Sequence, residues 1–344
     1  MYIATIDCGT TNSRVYIVDE EGTVRAKAAR KVGVRNTAIT GSSLELRQGL
    51  TEAFDEASAE AGLAPGEISL VVSSGMITSE LGFAELPHLW APVDLDAVAG
   101  GVTRWEDDGL FAGSPAVYLI RGIKNRYDAE AAGIDQADQL DFMRGEETQV
   151  LGYLGLHQVR LPTTFAILSS HTKFIPVDEQ GRIRGSLTTV SGQVYEALLK
   201  ETFLSKSLRP ANAHDTPQVP EGSEYRRIIE LARRITGESG FLRALLVARF
   251  MDTLLTTNVE ERKLYVEAVV ASEDMRVLSR MSSMGFPTDT GFVLVGAAPR
   301  VHLYKQLLEM TGIRGGIETL SDPAEVDSLS IHGSLRILRR AAIL

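Results

Sequence analysis

Asp7, Gly9, Thr10, Thr11, Asn12 and Arg14 fall within eight residues, directly behind the apolar run Tyr2-Ile3-Ala4-Thr5-Ile6. Holding a phosphate takes backbone N–H donors, hydroxyls and a cation at close range. Gly9 lets the backbone come near an anion, Thr10 and Thr11 bring hydroxyls, and Asn12 brings an amide. Arg14 follows at a distance from which it can reach a negative group. Asp7, at the end of a buried strand, can hold Mg²⁺ through water, because magnesium keeps most of its hydration shell. The same letters also describe an ordinary Thr/Asn hairpin turn.

Two further phrases carry chemistry. Ser169-Ser170-His171-Thr172-Lys173 is a polar turn between two apolar runs, and a His and a Lys in such a turn are hard to bury. Arg144-Gly145-Glu146-Glu147 sets two carboxylates behind a glycine where a helix begins. A carboxylate in that place can take the proton from a hydroxyl nucleophile, an effect of about 10²–10⁴ in rate. Acids in a first helical turn are also favoured by the helix dipole alone. Arg14 and Arg144 present forks that suit a planar carboxylate or a phosphate, and either also suits a structural ion pair.

The elements that must position these residues alternate between sheet and helix. Residues 1–7, 14–19 and 23–29 read as strands joined by tight turns, an antiparallel start to a sheet. Residues 44–62 have helical spacing (Leu46, Leu50, Phe54, Ala57, Ala61) and stop at a glycine. A strand over 69–73 leads into Ser74-Gly75-Met76, another covers 116–121, and 138–156 runs from a loop into a helix. Strands over 165–169 and 174–177 flank the second polar turn, and 183–187 continues them. A second strand–turn–strand unit therefore starts near residue 165. Helices are expected over 192–203, 225–237, 241–258, 260–283, 301–311 and 331–342, with a buried strand over 292–296. Residues 211–221, rich in Pro, Asn, Asp and Thr, suit a mobile loop. Trp90 and Trp105 are expected in a core or between lobes.

At 344 residues the chain is long enough to favour two lobes, and 44% hydrophobic with 23% charged residues is ordinary for a globular protein. A net charge of -10 and the lack of a basic stripe argue against nucleic-acid binding. Arg226, Arg227, Arg233 and Arg234 fit a solvated helix face. The lone Cys8 excludes an internal disulfide, and His88, His157, His171, His214, His302 and His332 show no zinc spacing. No membrane span or signal region is read, so the cytoplasm is the simplest location. There is no G-x-S-x-G elbow and no early G-x-G-x-x-G turn, which leaves a serine hydrolase and a Rossmann fold unsupported.

The strand with Asp7-x-Gly9-Thr10-Thr11-Asn12-x-Arg14 resembles the first phosphate loop of the sugar kinases related to actin and hexokinase. More narrowly, Met143-Arg144-Gly145-Glu146-Glu147-Thr148-Gln149 resembles the signature of the 2-dehydro-3-deoxygalactonokinase family. Ser74-Gly75-Met76 with Leu81-Gly82-Phe83, His171-x-Lys173, Gly192, and Val295-Gly296-Ala297 before Tyr304-Lys305-Gln306 follow in the family's order. The likeness spans most of the chain, with an expansion across about 205–240. One departure stands out: the family pattern has Gly-Thr before the histidine, and this chain has Ser169-Ser170. Serine keeps a hydroxyl and loses the freedom to take positive φ.

The resemblance implies an α/β, two-lobed actin-like ATPase (ribonuclease H-like) fold, with mixed sheets flanked by helices and the active site in the interlobe cleft. Its lobes would be 1–158 and 159–344, with the final helix open to packing back on the first. It implies ATP-dependent phosphorylation of 2-dehydro-3-deoxy-D-galactonate to the 6-phosphate. Asp7 would position Mg²⁺, while Gly9, Thr10, Thr11, Asn12, Ser169, Ser170, His171 and Lys173 hold phosphates. Gly296 and Ala297 would lie against adenosine, although a plain strand-to-helix turn reads equally well. Glu146 is favoured as base, with Glu147 as a substrate or magnesium contact and the exchange of the two left open. Arg14, Met76 and Arg144 would face the sugar acid. A kinase of another sugar, or a sugar-acid or nucleotide-binding sensor without turnover, stays open, as does a homodimer.

Overall fold

Alternation decides which way the opening strands face. In the computed structural model, which describes residues 1–344 apart from 107–108, 129, 131–132, 211–218, 289 and 314, Tyr2–Cys8 and Ser13–Asp19 pair antiparallel with Asp7 opposite Arg14. Val24–Arg30 adds a third strand. Ile6, Cys8, Val15 and Ile17 turn to one face and bury with Leu46, Leu50 and Phe54 of the helix Leu44–Glu60. Thr5, Asp7, Arg14, Tyr16 and Lys27 stand on the other face, as the two-residue period requires. Ile68–Gly75 joins parallel to Tyr2–Cys8, and Ala116–Leu119 joins parallel to it in turn. Thr103–Trp105 closes the edge of this six-stranded sheet.

The second sheet repeats the plan. Its order is Leu187–Thr189, Thr172–Val177, Thr163–Leu168, Gly291–Gly296, Ile317–Leu320. The last three strands run parallel, and the turn 169–171 joins the central pair. Helices Gly222–Ser239, Phe241–Leu254, Val259–Asp274 and Ala298–Met310 build a core here with the strands, centred on Tyr265, Leu294 and Tyr304.

The chain divides into two units. The first comprises Met1–Leu161, Val177–Ser186 and Pro323–Leu344, and the second Pro162–Pro176 and Leu187–Asp322. Beyond a cut at 158/159, the first unit takes in 177–186, which was not expected, and the final helix, whose packing back on the first lobe the resemblance allows. Ile183 bridges to Val93, which ties 177–186 there. The final helix, Pro323–Arg340, lies on the helix Glu146–Leu156, where glycines face each other's backbone. A Cβ on Gly333 would stand 1.9 Å from the Thr148 carbonyl oxygen, and one on Gly152 would stand 2.0 Å from that of Leu329.

Several elements depart from the sequence reading. The helix expected over 260–283 is two, Val259–Asp274 and Val277–Ser283, and its start carries a capping box between Asn258 and Glu261. The last helix begins at Pro323, not 331, because its first two turns carry few apolar residues and lack the periodic stripe. Ile183 makes isolated bridges only, and the strand there is Leu187–Thr189. Val34–Thr40, Ile317–Leu320 and the small sheet of Leu89–Trp90, Ile123–Lys124 and Phe142–Met143 were not expected. Trp90 is 38% exposed, under the Lys124 ammonium, so it is not a core residue; Trp105 stacks on Phe83 beside the core. Arg226 and Arg234 do line a solvated helix face, paired with Glu230 and Glu238. Of the loop expected over 211–221, residues 211–218 lie outside the described residues.

The glycine contact between the two helices yields a stability prediction. Gly333→Ala must push backbone from backbone and should destabilise the protein by about 1–3 kcal/mol. Gly237→Ala, in open space on an exposed helix face, should instead be neutral or gain up to about 1 kcal/mol. Urea unfolding midpoints of the two variants against the wild type check both.

Candidate active site

The first hairpin is held from behind. Gly9 N–H donates to the Asn12 carbonyl across the turn at 2.9 Å. The carbonyls of Gly9 and Thr10 accept from the N–H groups of Val34 (3.3 Å) and Arg35 (2.9 Å). That approach needs Gly33, where a Cβ would sit 2.5 Å from the carbonyl oxygens of both Gly9 and Thr10. With its carbonyls engaged, the loop is tethered while the side chains of Thr11 and Asn12 stay exposed. Asp7 pairs with Arg14 at 3.2 Å, so Arg14 is an ion-pair partner of the carboxylate in this structure. Burial raises the Asp7 carboxyl above the usual range, Arg14 pulls it back, and the charge of Asp327 on the final helix pushes it up further.

The two acids of the second phrase have different surroundings. Parallel pairing sets Cys8 beside Gly75 at the strand ends. Gly145, at φ 107°, packs there, since a Cβ on it would lie 3.3 Å from the Gly75 Cα. Glu146 opens the helix behind Gly145 and is partly exposed. Glu147 is 0% exposed, and both its carboxylate oxygens accept from the Gly145 N–H at 2.9 and 2.8 Å. Its carboxyl is pushed up to about 8, first by burial and then by the Glu146 charge. In this structure the Glu147 side chain is thus engaged by the turn that precedes it. Arg144 is also occupied: it donates to Thr78 Oγ1 at 2.7 Å and to the Leu86 carbonyl at 2.9 Å. It thereby pins the segment from Met76 to Leu86, where Met76 packs partly against the first core. Burial holds the Arg144 guanidinium below its usual pKa.

The second hairpin follows the same logic with different parts. The Ser170 carbonyl accepts from the Gln193 N–H at 3.0 Å, and the Ser169 carbonyl accepts from Arg300 Nη1 at 3.1 Å. Gly192 permits the approach, as a Cβ there would lie 2.3 Å from the Ser169 carbonyl oxygen. Ser114 and Ala342 are the non-glycine residues at positive φ among the described residues, so the Ser169-Ser170 pair makes its turn without the conformation that serine disfavours. Ser169 Oγ donates to the His171 carbonyl at 2.9 Å, and Gln193 Nε2 lies 3.4 Å from His171 Nε2. Burial, then Lys173, lowers the His171 pKa. Lys173 is 8% exposed and donates to Thr188 Oγ1 at 2.9 Å. Gly296 is paired in register with Leu168, so the Gly296–Ala297 turn sits beside the start of this hairpin and leads into the helix Ala298–Met310.

In each unit, then, the nominated residues gather where parallel strands end, the edge at which open α/β sheets bind ligands. Sequence reasoning missed Gly33, Gln193, Arg300 and Asp327. None belongs to a motif, and only the fold brings them near one. A cavity of about 500 Å³ opens elsewhere in the first unit, by Asp94, His157, Gln180 and Arg336, and no nominated residue lines it.

A model of the 2-keto-3-deoxy-galactonokinase family matches residues 7–326. The chain belongs to this family. Its members are carbohydrate kinases, which are phosphotransferases. The match takes in both hairpins and the Glu146 loop. The chain is 28% identical over 218 residues to the Probable 2-dehydro-3-deoxygalactonokinase of Rhizobium meliloti, covering 61% of this chain and 60% of that relative. A solved Sinorhizobium meliloti structure bearing the 2-dehydro-3-deoxygalactonokinase name superposes with a TM-score of 0.71 at 21% identity, over 99% of both chains. A reductive activator for a corrinoid, iron–sulfur protein superposes at 0.53 and 12% identity, over 100% of this chain and 61% of that one. The fold is thus the actin-like ATPase and sugar-kinase fold, with its mixed sheets flanked by helices.

Glu147 offers a pH test. Its folded-state carboxyl lies above the unfolded value, so the stability tied to its protonated form is complete below about 4.5 and is lost as pH rises through about 8. The wild type should therefore lose stability relative to Glu147→Gln as pH rises from about 5 to about 9. Urea midpoints at fixed salt measure this, and a difference constant over that range contradicts the assignment.

Proposed function

We propose that this protein transfers the γ-phosphoryl group of ATP to the 6-hydroxyl of 2-dehydro-3-deoxy-D-galactonate, giving the 6-phosphate and ADP. The observation that carries this reading is the position of Glu146: a half-buried glutamate at a helix start, behind a glycine packed against the strand end beside Asp7. Phosphoryl transfer demands mainly positioning and charge stabilisation, with a base to accept the proton of the attacking hydroxyl. Glu146 is that base. Glu147, locked to Gly145, fixes the turn from which Glu146 projects.

The hairpins Gly9–Asn12 and Ser169–Lys173 bind phosphate groups through N–H donors and hydroxyls, and the Gly296–Ala297 turn receives the adenosine. Asp7 suits Mg²⁺ bound through water. Among the described residues no cluster of three or more His, Cys, Asp or Glu forms a metal cage. A single carboxylate matches an ion that keeps its own waters and arrives on the nucleotide. Burial also penalises the charged form of Asp7, and a nearby cation offsets that cost. Mg²⁺ held there would supply charge neutralisation at the phosphates. Among the described residues no helix is long and apolar enough to cross a membrane, in keeping with an enzyme acting on dissolved metabolites.

A coupled ADP-release assay with a panel of 2-keto-3-deoxy acids and sugars tests the reading. ADP release dependent on the 2-keto-3-deoxygalactonate is expected, and Glu146→Gln should lower kcat by about 10²–10⁴ with little change in KM. Turnover of a different sugar acid alone would replace the substrate. Binding without turnover would make the protein a sensor, and an unchanged rate in Glu146→Gln would remove Glu146 as base.

A further inference from the structure

The two hairpins are secured by different donors. Behind the first, the Gly9 and Thr10 carbonyls each meet a backbone N–H, from Val34 and Arg35. Behind the second, only the Ser170 carbonyl does so, through Gln193, and the Ser169 carbonyl meets a side chain instead. That side chain is Arg300, from the first turn of the helix Ala298–Met310. Its Nη1 donates to the Ser169 carbonyl at 3.1 Å, while its Nη2 lies 2.9 Å from Thr172 Oγ1 and 2.7 Å from Ser191 Oγ. Thr172 begins the strand that leaves the hairpin, and Ser191 begins the helix beside it. One guanidinium therefore spans three elements around a turn.

The arginine is held in turn. Its guanidinium lies 5.5 Å from the centre of the Tyr304 ring, Nη2 is 3.3 Å from the Tyr304 hydroxyl, and that hydroxyl donates to the buried carboxylate of Asp274. Thr172 Oγ1 and Ser191 Oγ are 2.7 Å apart and share the same fork. Gly192 completes the fit, since a Cβ there would come within 2.8 Å of Arg300 Nη1 as well as 2.3 Å from the Ser169 carbonyl oxygen. A planar fork reaches a carbonyl and two hydroxyls from separate, rigidly spaced nitrogens, whereas an ammonium gathers its three donors on one atom.

We infer that Arg300 is a positioning residue for nucleotide binding: it takes the place of a backbone donor behind the second hairpin and couples that hairpin to the Gly296–Ala297 turn. The inference rests on the proposed reading of this hairpin as a phosphate loop. Arg300 follows Ala297 by three residues and reaches the Ser169 carbonyl from the same helix end. Loss of the fork thus loosens the phosphate grip and its spacing from the adenosine turn together, while the residues proposed to meet the sugar acid, all in the first unit, are untouched.

The test measures ATP and sugar-acid binding separately, by titration calorimetry and by KM, for the wild type, Arg300→Met and Arg300→Lys. Arg300→Met should weaken ATP binding about 10- to 100-fold, the scale of a misplaced binding group. The KM for the sugar acid should stay within about twofold, and Arg300→Lys should recover part of the ATP affinity, since its charge is kept while the spaced donors of the fork are lost. If Arg300→Met does not fold, Arg300→Lys with a wild-type melting temperature and at least about fivefold weaker ATP binding supports the inference. Wild-type ATP affinity in a folded Arg300 variant overturns it while leaving the proposed function standing, as does an equal loss for both substrates. A wild-type protein that binds no ATP overturns both.

Discussion

A turn that offers its N–H groups to an anion must have its carbonyls engaged elsewhere, or they repel the charge the turn is meant to hold. Behind both hairpins another stretch of backbone comes in to engage a carbonyl, and in both a glycine lies at the point of approach, with Arg300 taking the Ser169 carbonyl of the second. At Gly33 a side chain would strike the Gly9 and Thr10 carbonyls, and at Gly192 it would strike that of Ser169. Much of the nearby architecture follows. The short helix Val34–Thr40 and the helix Ser191–Lys200 start where they do because their first N–H groups, or those just beside them, face hairpin carbonyls. Each sheet then places its parallel strand ends, Gly75 and Gly296, beside the hairpin it serves.

The first unit adds a second constraint from the far end of the sequence. The final helix crosses the Glu146 helix at Gly152 and Gly333, close enough that neither tolerates a Cβ without movement. It also carries Asp327, which pairs with Lys27 and adds its charge to the surroundings of Tyr16 and Asp7. Two carboxylates separated by more than a hundred residues, Asp7 and Glu146, are thus set by one element that comes last in the chain. Close packing of this kind transmits displacement, because interiors have little spare volume.

What the sequence disclosed was local. Strand alternation, glycine stops and the phrases around Asp7, Glu146 and His171 each lie within a few residues, so their elements were readable to within a few positions. The misses share a cause: their signals depend on distant partners. The two-residue strands at Leu89, Ile123 and Phe142 are too short for any period to show. The break at Met275–Arg276 falls inside a continuous helical pattern with no proline or glycine to mark it. Trp90, expected in a core or between lobes, is 38% exposed beneath the Lys124 ammonium, a neighbour 34 positions away that no local pattern announces. Arg300 carried no signal at all, since a single arginine after a proline has meaning only once Ser169, Thr172 and Ser191 stand around it.

Glu146 and Glu147 show how neighbouring letters of one type separate into different roles. Both occupy the first turn of the same helix and both profit from its dipole. Residue chemistry alone gives no reason to divide them. Burial does: Glu147 is fully buried, where its ionised form is disfavoured and the Gly145 N–H bonds it, while Glu146 is only partly buried. The Glu146 charge adds to burial in raising the cost of ionising Glu147. Acid and base assignments in such pairs follow the environments that drive the two carboxyls apart. Two identical side chains behind one glycine are thus held in different surroundings, one fully buried and bonded to the turn, the other partly exposed.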